Sequence, residues 1–156
     1  MIVYHGGGQA VERPDILHSR KAVDFGVGFY TTPIFAQAVN WCTKRRQRWG
    51  SAVVSRYVLD EAALMNLKVL RFDEYSDSWL DFIVSCREER DRTDWDVVIG
   101  GVANDKVFDT LEAFFDGFAT REQTIAKLRY EKPNLQVCFR TAAALATLKY
   151  IGSENV

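Results

Sequence analysis

The chain has few of the residues that build metal sites and disulfide frameworks. Its 156 residues include two histidines and three cysteines, and Cys42, Cys86 and Cys138 stand far apart with no Cys-x-x-Cys pair. That spacing suggests neither a zinc site nor a disulfide framework; core thiols in a reducing cytosol are the expectation. Net charge is nearly absent as well. Twenty Lys and Arg against 21 Asp and Glu leave a formal charge of -1, so a nucleic acid or anionic membrane must be met by a local patch, if at all. No stretch approaches the roughly 20 apolar residues of a membrane span, and the chain opens on strand-like Ile2-Val3-Tyr4 rather than on a basic and apolar leader. The expected location is the cytoplasm, with no membrane partner. Prolines number only three, Pro14, Pro33 and Pro133, and no repeat or Pro/Gly/Ser linker interrupts the chain. With 47% hydrophobic and 13% aromatic content, a single domain over residues 1–156 with one real core is expected.

What is present is a run of short, well-punctuated elements. Ile2 to His5 reads as a strand, released by Gly6-Gly7-Gly8 into a loop where backbone without Cβ atoms can approach a ligand. Thr32-Pro33 predicts a helix start, with Ile34, Ala38 and Trp41 recurring on its buried face. Residues 52–59, 68–72 and 96–100 read as strands, and Trp79, Phe82, Ile83 and Cys86 as one face of a helix between the last two. Asn104 and Asp105 can cap a helix with the stripe Val107, Phe108, Leu111, Phe114 and Phe115, and Thr120-x-x-Gln123 has the form of a capping box ahead of Ile125 and Leu128. Residues 135–139 read as a late strand, Thr141 as the cap of a short helix carrying Leu145 and Leu148, and Tyr150-Ile151 as a last edge strand. Strands and helices mix without strict alternation, which favours an α+β fold over a doubly wound parallel sheet.

Two segments stand out for chemistry: Val3-Tyr4-His5-Gly6, and Phe25-Gly26-Val27-Gly28-Phe29-Tyr30-Thr31-Thr32, with Trp41 eleven positions after Tyr30. A His-Gly at a strand end, a Gly-x-Gly-aromatic-Tyr strand and a later aromatic, in that order, resemble the nicotinamide pocket of the ADP-ribosyltransferases, in their poly(ADP-ribose) polymerase-like branch. A closer resemblance is to a group of small bacterial proteins of unknown function in the same superfamily. They share His-Gly-Gly, Asp-Phe-Gly-x-Gly-Phe-Tyr, Val-Ala-Asn-Asp and a late Gln-x-x-Phe, and the resemblance covers nearly the whole chain. It implies a split β-sheet core, two small sheets splayed around a central cleft with helices outside. It also implies NAD as the bound substrate. His5 would hydrogen-bond the adenosine-side ribose, the Gly6 backbone would grip the nicotinamide carboxamide, and Tyr30 and Trp41 would sandwich the ring. Gly28 and Thr31 join this nucleotide-binding set beside Tyr30, and Arg20, in the loop ahead of the second motif, would approach the pyrophosphate. The family helix often carries a serine that bonds the carboxamide; the corresponding position here is Ala38.

Cleaving the bond between nicotinamide and ribose asks a protein chiefly to hold. The ring is already a cationic leaving group, and a water-poor cleft must orient the ribose and stabilise oxocarbenium charge. Transferases of this superfamily usually present a glutamate for that purpose at the start of a late strand, where this chain has Gln136. A glutamine amide bonds a hydroxyl but brings no negative charge. Asp105, after the Gly100-Gly101 bend, is the candidate replacement carboxylate, with Asn104 beside it a candidate nucleotide ligand. Each residue taken singly also fits a plainer role: a strand-end histidine, core aromatics, a solvated turn at Arg20, a helix cap at Asn104-Asp105. The ordered combination with Gly6, Gly26 and Gly28 points to a nucleotide. Lys44-Arg45-Arg46-Gln47-Arg48 is the one dense basic run, and it fits a solvated helix end or, with Trp49, an acidic partner or phosphate backbone.

The resulting expectation is an NAD-dependent mono-ADP-ribosyltransferase of bacterial type, without a metal, whose catalytic residues are Gln136, His5 and Asp105. Its acceptor class is open. Resemblance adds the toxin half of a toxin-antitoxin pair, with a cognate antitoxin protein as partner. The alternative is a catalytically inactive module that binds NAD, ADP-ribose or a protein. Transfer of an RNA 2′-phosphate on the same fold is weaker, because Arg20 is the only evident basic group in the cleft.

Overall fold

The computed structural model describes residues 1–102, 105–128 and 134–156, with backbone alone for residues 105, 106 and 108. Asn104 lies outside the described residues, and of Asp105 only its place at the start of a helix is given. In chain order the elements are β1 (Ile2–Gly7), β2 (Phe29–Thr31), α1 (Phe35–Thr43), α2 (Arg46–Trp49), β3 (Val53–Leu59), α3 (Glu61–Leu64), β4 (Val69–Arg71), α4 (Asp77–Arg87), β5 (Val97–Gly100), α5 (Asp105–Phe115), α6 (Arg121–Leu128), β6 (Gln136–Phe139), α7 (Ala142–Leu145) and β7 (Leu148–Asn155). The fold is α+β. Its strands form two sheets, β1-β3-β7 and β2-β6-β5-β4, antiparallel throughout except for the β4–β5 pair.

Strand alternation sorts the apolar residues into layers. Val3, Tyr57 and Leu59 of the first sheet meet Phe29, Val97, Ile99, Val137 and Phe139 of the second, so one core lies between the sheets. The opposite face of the second sheet, through Val98 and Cys138, packs on Phe25, Trp79, Leu80 and Ile83, and on Val107, Leu111, Ile125 and Leu128 of α5 and α6. The outer face of the first sheet carries α1, through Ala38 and Cys42 against Ala52 and Val54. Among the described residues no helix is long and apolar enough to cross a membrane.

Local signals are realised where the side chain acts on its own neighbours. Thr120 and Gln123 form the capping box in both directions, at 3.1 and 3.0 Å. Thr141 caps α7. Other expectations are corrected. β1 runs on through Gly6 and Gly7, α7 ends at Leu145, and Leu148 opens an eight-residue strand paired along β3. Helix α1 starts later than Thr32-Pro33 suggests, because the Thr32 hydroxyl accepts from the Ile34 N–H (3.1 Å) and leaves the first turn uncapped. Trp41 does not face inward. It is 39% exposed, and the buried positions of α1 are Ala38 and Cys42. The cause is a close approach: a Cβ at Gly6 would lie 2.4 Å from the Ala38 carbonyl oxygen. So near a strand, a helix buries only small side chains, and the indole turns outward.

Candidate functional site

β1 and β2 are edge strands of different sheets, and one bridge joins them. The Tyr4 N–H donates to the Thr32 carbonyl (2.8 Å) and the Thr32 N–H to the Tyr4 carbonyl (2.9 Å). In antiparallel pairing a residue's N–H and C=O point to one side, and alternate residues point to opposite sides. Gly6, two residues past Tyr4, therefore aims both groups at this same edge, away from β3. Tyr30, two residues before Thr32, aims its own groups toward Gly6. A continued ladder would pair the two, yet pairing stops at the bridge. The Tyr30 carbonyl instead accepts from His5 Nδ1–H (2.7 Å). One step past the bridge is thus an opened ladder position, bordered by the Gly6 backbone and the His5 imidazole.

The hydrogen bond also settles the state of His5. A carbonyl only accepts, so Nδ1 carries the proton and Nε2 remains an acceptor in the neutral ring. Burial pushes the imidazole below its usual value, opposed by the bond to the Tyr30 carbonyl. The ring stacks on Phe29 with centroids 4.5 Å apart. Its Nε2 lies toward Gly7, where an added Cβ would sit 3.4 Å from it.

The Gly-x-Gly segment is organised around Tyr30. The phenol donates to the Gly26 carbonyl (2.6 Å) and accepts from the Phe25 N–H (3.0 Å). Gly26 has φ +74°, a conformation that favours glycine. Burial holds the Tyr30 hydroxyl well above its usual range. Gly28 touches β6 so closely that a Cβ would come 2.5 Å from Cys138 Sγ, and its N–H donates to the Ser19 hydroxyl (2.9 Å). Arg20, next to Ser19, is exposed. Thr31 points to the opposite face from Tyr30, and its buried hydroxyl donates to the Val137 carbonyl (3.3 Å). Tyr30 and Trp41 do not share a space. Tyr30 packs on the core beneath α4 to α6, whereas Trp41 lies on the outer side of α1 with the Arg45 guanidinium 3.4 Å over its ring centre.

Gln136 opens β6 on the same face as Tyr30 and Cys138 and is buried. Its Nε2 donates to Asp24 Oδ2 (3.3 Å), while Asp24 Oδ1 takes the Arg87 guanidinium at 2.7 Å. These two charged side chains are only 12% and 18% exposed. The carboxylate fixes which end of the amide faces it, leaving Gln136 Oε1 as the acceptor end. Sequence reasoning gave no site role to Asp24, the first residue of the Asp-Phe-Gly-x-Gly-Phe-Tyr motif, or to Arg87. The available signal was the place of Asp24 beside Phe25, a fully buried ring that carries its neighbour inward; Arg87, 63 residues away, gave none. Gln37 was missed too. Its amide donates to the Leu135 carbonyl (2.9 Å) and accepts from the Leu135 N–H (3.2 Å), clamping α1 to the start of β6. A surface cavity of about 470 Å³ lies at the other end of β1, lined by residues that include Met1, Glu61 and Lys149.

Residues 1–150 match a family described as Protein of unknown function (DUF3990). The chain belongs to this family. No curated protein and no solved structure matches it. The DUF3990 match spans the opened ladder, the Asp24–Gln136 pair and the Gln37 clamp, and ends inside β7.

Proposed function

We propose that this DUF3990 protein binds NAD where the edges of its two sheets meet, beside the β1–β2 bridge, and transfers ADP-ribose to an acceptor, on an ADP-ribosyltransferase-like split-sheet core. The opened ladder at Gly6 carries the reading. A strand edge presents an N–H and a C=O side by side as a template for a further amide, and a primary carboxamide offers the complementary acceptor and donor. Nicotinamide bears that group.

The other candidate residues then have tasks. His5 Nε2 accepts from a ribose hydroxyl, with the Tyr30 carbonyl holding the ring in its tautomer. Gln136 Oε1 accepts from a hydroxyl of the ribose being transferred, while Asp24 behind the amide, its own charge paired with Arg87, orients and polarises it. Asp105, at the start of α5, stays the candidate for the carboxylate that Gln136 lacks. Arg20 is the loop cation available to the pyrophosphate, and Trp41, on the outer side of α1 under Arg45, takes no part in the ring's pocket. The C–N bonding pair departs with neutral nicotinamide, a lone pair of the acceptor forms the new bond at the anomeric carbon, and the acceptor's proton passes to solvent. Action in the cytoplasm as a toxin restrained by an antitoxin protein belongs to the same proposal, tested by growth arrest that His5→Ala relieves.

Gln136 in place of a carboxylate favours a second reading, a module that binds NAD without turning it over. Calorimetric titration with NAD, paired with chromatography of released nicotinamide, separates the two. Heat with release supports the transferase; heat without release supports the module; neither heat nor release at millimolar NAD overturns both.

A further inference from the structure

The acceptor's class is addressed by a different part of the molecule. Between Asp24 and Asp60 the chain has no acidic residue, although it contains 21 elsewhere and at its two ends of this stretch. Within that stretch, α1 and α2 meet at Lys44, Arg45, Arg46 and Arg48, of which all but Arg45 are exposed. Two indoles flank these cations, Trp41 and Trp49, 39% and 38% exposed. The Arg45 guanidinium lies 3.4 Å over one ring centre and 6.0 Å from the other. The corner is firmly placed: Trp49 rests on Gly8, where a Cβ would come 2.9 Å from the indole's own Cβ, and the Ser51 hydroxyl donates to the Gly8 carbonyl. Gly8 is two residues from Gly6, and the corner lies on the same face of β1 that α1 covers at Gly6.

We infer that the α1–α2 corner docks single-stranded nucleic acid and, if the NAD reading above holds, that this strand is the acceptor. Cations alone suit any acidic partner. Aromatic faces interleaved with a planar guanidinium suit unpaired bases, which stack on indole and guanidinium planes while phosphates meet the basic groups. A duplex hides those faces, and an acidic protein has no use for them.

The test omits NAD, so it stands apart from the nicotinamide reading. Anisotropy of a labelled single-stranded oligonucleotide of about 20 nucleotides is measured against the duplex of the same length and a polyglutamate peptide. The single strand binds best. Three phosphate contacts give a log–log salt slope near -2, or about 15-fold weaker binding between about 50 and 200 mM salt. Trp49→Ala weakens binding by roughly 5- to 100-fold through lost stacking. Arg45→Lys, which keeps the charge and removes the plane, weakens it as well, while circular dichroism reports a wild-type fold. Lys44→Glu with Arg48→Glu lowers the salt slope. Equal binding of strand and duplex, indifference to both Trp49→Ala and Arg45→Lys, preference for polyglutamate, or no binding at low salt overturns the inference.

Discussion

Gly6→Ala is the perturbation whose outcome the packing fixes most tightly. Gly6 is not among the glycines with positive φ, so alanine tolerates the backbone and the effect is steric. The new methyl would lie 2.4 Å from the Ala38 carbonyl oxygen, 3.2 Å from its carbon and 3.3 Å from Cys42 Cβ. None of these atoms ends a flexible side chain, so α1 must lift from β1. Overpacking of this kind costs about 1–3 kcal/mol, offset by the roughly 0.5–1 kcal/mol that alanine gains over glycine through the unfolded chain. The net is a loss of up to about 2.5 kcal/mol, centred slightly above about 1 kcal/mol, and each kcal/mol lowers the thermal midpoint of a chain of this size by about 2–4 °C. Gly7→Ala is the control. Its methyl would meet Gln9 O and His5 Nε2 at 3.4 Å, ordinary contact, with a change within about 0.5 kcal/mol. Urea titration followed by tryptophan fluorescence measures both, the midpoint shifting at constant slope. A wild-type midpoint for Gly6→Ala, or an equal loss for Gly7→Ala, would refute the packing argument. The contrast also separates two roles, since Gly6 spaces the helix while Gly7 lies on the His5 face.

Asp24→Asn removes one partner of a pair whose side chains are 12% and 18% exposed, and lowers stability by about 3 kcal/mol; adding Arg87→Met recovers part of that loss, and strictly additive effects would contradict the pairing. Gln136→Glu sets a second carboxylate against Asp24, now 3.3 Å from the amide. One of the two acids then titrates higher, so the variant loses more stability relative to wild type at about pH 8 than at about pH 5, and an unchanged difference across that range would refute it. The folded His5 imidazole titrates below its unfolded value. The folded state then binds fewer protons, so stability is fully present above about pH 6.5 and falls as pH drops toward the folded value. Thermal midpoints across that window show the decline, His5→Gln flattens it, and a flat wild-type profile would sink the assignment.

Much of the fold was legible because the governing interactions are local. The Thr120–Gln123 box and the Thr141 cap each act within three residues. The apolar runs of β5 and β6 mark strands buried on both faces, as observed. Trp41 was misread because α1 lies so close to Gly6 that the small residues, not the large ones, face the strand. The late strand was underestimated because β7 owes its length to pairing with β3, about a hundred residues earlier. In the candidate site, His5, Gly6 and Tyr30 stood out by order, but the break in the ladder depends on the register of two strands that share one bridge. The Asp24–Arg87 pair joins a loop to a helix end and leaves no trace in spacing.

The central claim is that the Gly6 strand edge accepts a primary carboxamide, and the amide resonance of Gly6 in an ¹⁵N-labelled sample reports on it directly. Titration with nicotinamide should move the Gly6 resonance saturably, with His5 and Tyr30 following. Nicotinic acid, which has the same ring and no amide N–H, should move it far less. Saturable binding that leaves Gly6 unshifted, or equal shifts from the amide and the acid, would contradict the account.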